Sequence, residues 1–512
     1  MLTASHPILN CEEARLFEQR LFAGDEAKEW AAMLSAGRAV AAAVLRDFEE
    51  IGGFPAGARV LVLMGKGHNG GDALLAAQAI LEQFPAAHAD LLPVFGERAL
   101  RPLALRAYRQ LAHAAPGRVT VAGQVADLAH RYDLSLDGIF GYQFRPPVDP
   151  RVTALILQVN KLPVRLRAAV DLPSGLGDAA VFQADFTYAT GSVKTPLIDS
   201  SHAAAVGRLR YLDLGFFAIA GPAGDGRPGS ATPATPESRL RVLTPQILAP
   251  LRSLRPPESD KRTYGHLCVL GGSRSYPGAV LMTVLAALRS GAGLITAFVP
   301  ETLAPAFAAR APEAMWVGWP ETPGGGLALE GRHLLQARLP RATALVIGPG
   351  LDREAETLAL MLDLVKTSPV PLVLDADALQ PDIVRAGTAP RVLTPHLGEF
   401  QRILAGDDFH ELPVTRDAVV VLKGRLTGIT HRRTGYYSLF GGPVLARGGS
   451  GDLLAGLIGG LLAQAPADPL LAASRGAVWH GLAADALARA HGQVAVQTTQ
   501  LLDFLPSALR QA

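Results

Sequence analysis

Apolar positions along the chain follow two different periods. Between residues 14 and 50 they recur at helical spacing (Leu16, Leu21, Trp30, Met33, Leu34, Val40, Val44, Leu45, Phe48), which predicts a buried helical stripe. After that, short apolar runs alternate with longer helical patterns. The run 58–64 predicts a strand that enters Gly65-Lys66-Gly67-His68-Asn69-Gly70-Gly71-Asp72, with a helix from Ala73 to about Phe84. Further strands are expected near 89–95, over 132–137 ending in Asp137, over 167–170 ending at Asp171, and over 184–190 with Lys194 just beyond. Residues 221–238 have no period at all. Gly, Pro, Ser and Thr dominate there, as in a linker. Strands then resume at 266–270, 294–299, 344–347, 372–374, 392–393 and 418–422, with a short antiparallel element at 436–439. A helical turn is expected at 244–251, and helices after Gly278, at 453–462 and at 480–488. Strands alternating with helices predict an α/β architecture, mostly parallel with one antiparallel edge. The expected organisation is a domain over 1–220, a linker over 221–240 and a second domain over 241–512.

Length agrees with this division, since 512 residues exceed what one ordinary core supports. The formal charge of +2 gives no electrostatic case for nucleic acid or an anionic membrane as a partner. Cys11 and Cys268 are the only cysteines, too few for a disulfide framework or a cysteine metal site. No charged segment followed by an apolar run opens the chain, and its long apolar helices carry polar and charged residues, so a cytoplasmic protein is expected.

The strongest chemical signal is Ala446-Arg447-Gly448-Gly449-Ser450-Gly451-Asp452, a glycine turn running into an apolar helix. Its backbone amides and helix end suit an anion, and Asp452 suits proton abstraction from a phosphoryl acceptor. Gly-Ser-Gly-Asp also reads as ordinary helix capping, and the stretch alone leaves both readings open. The early glycine loop contains a literal G-x-G-x-x-G. A dinucleotide-binding loop would want an acidic residue after the next strand, where Glu97 stands, and a tight turn is the other reading. Asn69, Asp137, Asp171 and Ser174 all lie at strand ends, where they could meet in one crevice with oxygens suited to a hard cation. Each alone would more often serve a turn or cap, and Lys194 alone would be a solvated surface lysine. There is no P-loop, no H-E-x-x-H and no G-x-S-x-G.

Gly448-Gly449-Ser450-Gly451-Asp452 with Lys423-Gly424 upstream resembles the ribokinase-like superfamily. Gly271-Gly272-Ser273, Leu288-Arg289-Ser290-Gly291-Ala292-Gly293, Gly348-Pro349-Gly350-Leu351, Asp375-Ala376-Asp377-Ala378-Leu379 and Thr394-Pro395-His396-Leu397-Gly398-Glu399-Phe400 resemble, within it, the ADP/ATP-dependent NAD(P)H-hydrate dehydratases. The first half, with Asn69-Gly70-Gly71-Asp72, Asp137 and Asp171-Leu172-Pro173-Ser174-Gly175, is similar to NAD(P)H-hydrate epimerase domains. The resemblance implies a Rossmann-like three-layer domain followed by a ribokinase-like α/β/α domain. The first would interconvert R and S hydrates of the reduced nicotinamide cofactor. The second would phosphorylate the S hydrate from ADP or ATP, with Mg²⁺, and expel the phosphate.

By the same resemblance, Ala279, Gly350, His396 and Asp452 would contact the hydrate in the second half, with Asp452 as base. Lys423, Gly424, Arg425, Leu426, Thr427 and Gly451 would hold the nucleotide. In the first half Asn69, Asp137 and Ser174 would bind K⁺. His68, Asn69, Gly70, Gly71, Asp72, Gly141 and Asp171 would hold the hydrate, with Asp171 and Lys194 as proton-transfer groups. A homo-oligomer is implied. The chain departs from the pattern at Phe140-Gly141-Tyr142-Gln143, where the family reads Phe-Gly-Thr-Gly. It departs again at Met33-Leu34-Ser35-Ala36-Gly37 (family Met-Glu-Asn-Ala-Gly), at Asp352 (family Gly) and at Arg447 (family Thr). Arg447 could touch phosphate or simply lie exposed. One rival is a small-molecule kinase of the same superfamily. Another makes the first half a non-catalytic binding or assembly module.

Overall fold

The computed structural model describes residues 2–219, 235–404 and 417–512. They form two compact units, one built from His6–Ser238 with Arg489–Gly492, the other from Arg239–Ala488, Gln493–Ala512 and the residues before His6. Most of the linker expected over 221–240 lies outside the described residues.

The first unit opens with strand β1 (Ser5–Leu9) and two helices, α1 (Cys11–Phe22) and α2 (Glu26–Phe48). One stripe was expected here, and the structure breaks it at Ala23 and Gly24, both with positive φ. Asp25 then starts the second helix by accepting bonds from the Ala27 and Lys28 amides. Strands β2 (Arg59–Met64), β3 (His88–Pro93), β4 (Val119–Val121), β5 (Tyr132–Gly138), β6 (Val164–Val170), β7 (Phe186–Thr190) and β9 (Arg208–Leu212) make a parallel sheet in the order β4-β3-β2-β5-β6-β7-β9. The short β8 (Val193–Lys194) pairs in parallel with β1. Both faces of the sheet are covered: α2 and helix α3 (His68–Gln83) pack on one, the helix Pro150–Val159 on the other. From β2 the chain winds outward to β4, then returns and winds the other way from β5. The crevice between the carboxyl ends of β2 and β5 is therefore the switch point where such sheets bind ligands.

In the second unit, β10 (Leu240–Leu243), β11 (His266–Leu270), β12 (Leu294–Pro300), β13 (Met315–Trp319), β14 (Ala344–Ile347), β15 (Leu372–Leu374), β16 (Arg391–Leu393), β17 (Val419–Leu422), β18 (Thr427–His431) and β19 (Thr434–Ser438) run in the order β13-β12-β11-β14-β15-β16-β17-β18-β19-β10. Only β18 opposes the rest. The sequence reading took 436–439 as the antiparallel element at an edge; that segment is β19, which pairs in parallel with β10, and the antiparallel strand is β18, inside the sheet. The helices Pro277–Arg289, Ser450–Gln464 and Pro469–His491 cover one face, and Ala355–Thr367 and Leu397–Leu404 the other. The switch point here lies between β11 and β14. Among the described residues no helix is long and apolar enough to cross a membrane.

Candidate active sites in the two halves

In the first half α3 begins at His68, so Asn69, Gly70, Gly71 and Asp72 form its first turns. The expected helix start at Ala73 is corrected by packing. A side chain on Gly70 would strike the Gly65 backbone at 2.2 Å, and one on Gly71 would strike Met33 at 2.1 Å. These two glycines let the helix sit directly on the end of β2, and Gly67 caps it without any side-chain bond. The switch point opens into a cavity of about 430 Å³ whose lining includes His68, Asn69, Asp72, Gly141 and Asp171. Glu97, the acidic residue a dinucleotide loop would need, is not among the lining residues; it sits in an exposed turn.

The expected cation ligands meet beneath this cavity. Asp137 accepts the Ser174 amide and hydroxyl, both at 2.7 Å, and the Ile139 amide at 3.2 Å. Ser174 Oγ accepts the Phe140 amide at 2.9 Å, and Asn69 Nδ2 donates to the Phe140 carbonyl at 2.7 Å. Burial pushes the Asp137 carboxyl up to about 6, against the hydrogen bonds that favour its ionised form. The Asp137 carboxylate, the Ser174 hydroxyl and the Phe140 carbonyl are hard oxygen donors gathered at one turn, and Asn69 presents its amide nitrogen to them.

Asp171 stands at the end of β6 with φ 65°, a left-handed conformation in which Asp is one of few tolerated residues. Its Oδ1 is 2.5 Å from Lys194 Nζ, and both side chains are buried. The surface role expected of Lys194 alone is thus overturned: β8 carries it inward, and Asp171 matches its charge. A side chain on Gly141 would lie 3.7 Å from Asp171 Oδ2 and 3.4 Å from Asn69 Cβ, so all three converge. Asp72 is buried with Oδ1 unpartnered, and burial first, then Asp171 and Glu18, raise its pKa well above the ordinary range.

In the second half the N-cap of helix Ser450–Gln464 is Gly449, at φ 89° and without a side-chain cap bond. Ser450 Oγ turns back to the Leu445 carbonyl at 2.7 Å. Asp452 lies in the first turn and does not cap; its carboxylate faces charged neighbours instead. Burial, then the Asp375 carboxylate, push it up to about 7, and Lys423 partly offsets them. Lys423 Nζ lies 3.0 Å from Asp375 Oδ1 and 3.9 Å from Glu399 Oε2. Burial opposes its charge, but these carboxylates hold its pKa above the usual value. The same ammonium is 3.1 Å from where a Gly451 side chain would begin. Pro395 accepts the Lys423 amide at 2.8 Å, so β16 and β17 deliver His396 and Lys423 side by side.

The helix Pro277–Arg289 approaches the glycine helix closely. Side chains on Gly449, Gly456 and Gly460 would strike Met282, Thr283 and Ser290. At the switch point a Gly350 side chain would come within 3.0 Å of Ala279 Cβ, and Gly350 itself takes φ 67°. Ala279 and Gly350 are therefore neighbours, as a shared substrate wall requires. Gly424 and Arg425 are exposed in the turn between β17 and β18, and Thr427 opens β18 opposite Ser438. Among the described residues there is no ready-made group of three or more His, Cys, Asp or Glu ligands. Asp375, Asp377 and Glu399 surround Asp452, with Lys423 as counter-charge.

A family model described as NAD(P)H-hydrate dehydratase matches residues 267–507, and one described as YjeF-related protein N-terminus matches 30–196. A Moorella thermoacetica protein named bifunctional NAD(P)H-hydrate repair enzyme Nnr is 34% identical over 510 residues, covering 93% of this chain and 92% of its own. A Gloeobacter violaceus protein of the same name is 35% identical over 522 residues, covering 98% and 97%. The chain belongs to the bifunctional NAD(P)H-hydrate repair enzyme family. Among solved structures, the ADP/ATP-dependent NAD(P)H-hydrate dehydratase of Bacillus subtilis, co-crystallised with ATP/Mg²⁺, is 29% identical. It covers 52% of this chain and 97% of that one, at a TM-score of 0.45.

Members of the repair family align across both halves, which supports the two-domain repair reading over a kinase joined to a non-catalytic module. Where this member departs from the family pattern, the structure gives the side chains definite partners. Arg447 Nη2 donates to the Gln493 and Val494 carbonyls, at 2.5 and 2.8 Å, and so ties down the chain near its end. Tyr142 enters the first cavity and donates to Glu18 Oε2 at 2.6 Å. Glu18, Lys66 and Arg101 line that cavity without having been singled out from sequence. Glu18 sits on an ordinary amphipathic helix and carried no signal. Lys66, inside the glycine loop, carried one by position.

Proposed function

We propose that this chain restores hydrated nicotinamide cofactors, epimerising R and S hydrates in its first half and dehydrating the S hydrate with a nucleotide in its second. The reduced nicotinamide ring is an enamine, so water adds at the carbon beside the nitrogen and leaves a hydroxyl there. Asp452 carries the reading: a carboxylate held near pH 7, beside Lys423 and at an uncapped glycine helix start, suits a base that works on a phosphoryl acceptor. It takes the hydroxyl proton as that oxygen bonds to the terminal phosphorus of ADP or ATP and the bond to the leaving phosphate breaks. The Gly448–Gly451 amides receive charge on the transferred group. The ring nitrogen's electron pair then expels phosphate, and loss of a proton from the next carbon restores the enamine.

Ala279, Gly350 and His396 position the hydrate, while Lys423 to Thr427 and Gly451 hold the nucleotide. Mg²⁺ bound near Asp375, Asp377 and Glu399 would neutralise phosphate charge. In the first half Asn69, Asp137 and Ser174 would hold K⁺, which balances the Asp137 charge and fixes the turn at Phe140. His68, Asn69, Gly70, Gly71, Asp72 and Gly141 form the hydrate's seat, and Asp171, matched by Lys194, moves the proton. A cytoplasmic setting suits a chain whose cysteines are both free thiols.

The test is a mixed R/S NADH-hydrate pool with ADP or ATP and Mg²⁺, followed by the return of reduced-nicotinamide absorbance. Fast, complete recovery is expected. Recovery of only the S fraction would silence the first half, and no recovery with either nucleotide would overturn the dehydratase assignment.

A further inference from the structure

The first cavity holds a second pair of proton-carrying groups that the reading above does not use. Tyr142 reaches it from the turn after β5 and Glu18 from α1, and their side-chain oxygens are 2.6 Å apart. Both line the cavity together with Asp171. Lys194 stands between the two sets, its Nζ 2.5 Å from Asp171 Oδ1 and 5.1 Å from the centre of the Tyr142 ring. Tyr142 occupies the position where the family pattern has a small Thr. In this chain a hydroxyl on a long, rigid arm replaces it and is braced by a carboxylate from another helix.

Inversion at a carbon bearing both hydroxyl and ring nitrogen can run through ring opening, a route with two proton transfers at separate atoms. As the C–N bond breaks, its electron pair goes to nitrogen, which gains a proton, while the hydroxyl loses one and becomes an aldehyde. Rotation about the neighbouring C–C bond and closure on the other carbonyl face reverse both transfers, so no net proton is gained. One carboxylate cannot hold both protons in flight. We propose that Tyr142 is a catalytic residue of the epimerase cavity, exchanging a proton with the hydrate's ring nitrogen while Asp171 serves the hydroxyl, and that Glu18 is the positioning residue that supplies and recovers the Tyr142 proton. This rests on the epimerase reading of the first half.

The surroundings suit the roles. Burial pushes the Glu18 carboxyl up to about 7, with Asp171 adding to the rise and Lys194 and the Tyr142 hydroxyl opposing it. Burial, then Glu18, drive the Tyr142 phenol far above its usual value, so it stays neutral, with its hydroxyl hydrogen directed to Glu18. The charged and titratable groups facing Glu18 are Tyr142 after β5, Asp171 after β6, Lys194 on β8 and Asp72 on α3.

The test follows R-to-S conversion of NADH-hydrate by the full chain, wild type against Tyr142→Phe and Glu18→Gln, from pH 5.5 to 9. Both variants should lose at least about 30-fold in kcat with KM within about threefold. The wild-type kcat should show a limb near pH 7 that Glu18→Gln abolishes. Unfolding midpoints matching wild type would show that the cavity wall survives. An active wild type whose variants keep kcat and the pH limb overturns the pair, as does a change confined to KM. A wild type that leaves the R hydrate at its uncatalysed rate overturns the epimerase reading together with the pair.

Discussion

Asp171 in the first half is bonded directly to a lysine. Lys194 is as deeply buried as its partner, and the pair sits at 2.5 Å. Asp452 in the second half has no such partner. Lys423 bonds to Asp375, and two further carboxylates, Asp377 and Glu399, crowd the same space. Both residues lie among buried carboxylates near strand ends, yet only Asp171 is bonded directly to a cation. A matched pair is a fixed charge whose removal disturbs the fold. An outnumbered carboxylate is driven toward neutrality and takes up protons close to physiological pH. Residue type alone therefore does not assign proton chemistry in this chain; the local balance of charge does.

That contrast is most exposed to Asp452→Asn. Dehydration should fall on the order of 1,000-fold while R/S interconversion continues, read by nicotinamide absorbance and by separation of the epimers. In the wild type, dehydration should decline as pH drops through about 7 and the base becomes protonated. Stability should move the other way. The folded pKa lies above the unfolded one near 4, so the contribution of this group is fully present below about pH 4 and is lost as pH rises through about 7. The Asn variant should thus be more stable than wild type at pH 8, by up to about 4 kcal/mol, with the gap shrinking toward pH 4 in urea unfolding. A gap independent of pH would break the comparison.

Asp171→Asn probes the other side. Asn tolerates the positive φ, so the backbone should survive while Lys194 is left buried without its counter-charge. Epimerisation should drop roughly 100-fold, and the variant should lose about 3–5 kcal/mol in urea unfolding. If stability were unchanged, the pair would not be the fixed charge described above. The smallest effect is expected at Arg447→Ala. Its guanidinium serves the 493–494 carbonyls, so KM for the nucleotide should stay within about twofold and stability should fall by about 1 kcal/mol. A tenfold rise in KM would show instead that Arg447 reaches the phosphates.

Much of both sites was legible because their residues lie in short local motifs. A strand ending in Asp137, another ending at Asp171 and a helix opening with Asn69 must meet if the strands are parallel neighbours, and they do. Asp452 was legible for the same reason, and Gly449 at the N-cap removes the capping reading that the sequence had left open. Lys194 was expected at the site only through the family resemblance, because nothing nearby in sequence announces that β8 pairs with β1 and turns it inward. Glu18 was missed because its partner Tyr142 lies 124 residues away. β18 was missed, and 436–439 was given the wrong direction, because the pairing of β19 with β10 joins segments far apart in the chain.

Hydrophobic period, glycine turns and strand-end carboxylates by themselves determined the α/β class and the two halves, and the family was expressed in the resemblance of short local motifs. Those features act through the backbone and through nearest neighbours, so a few adjacent residues suffice to express them. Which carboxylate shares which lysine, which hydroxyl enters the first cavity, and which glycine lets one helix lie against another were decided only by the tertiary structure. Those outcomes depend on burial and on distances of a few ångströms between residues that chain order keeps apart, where desolvation and charge pairing set the chemistry.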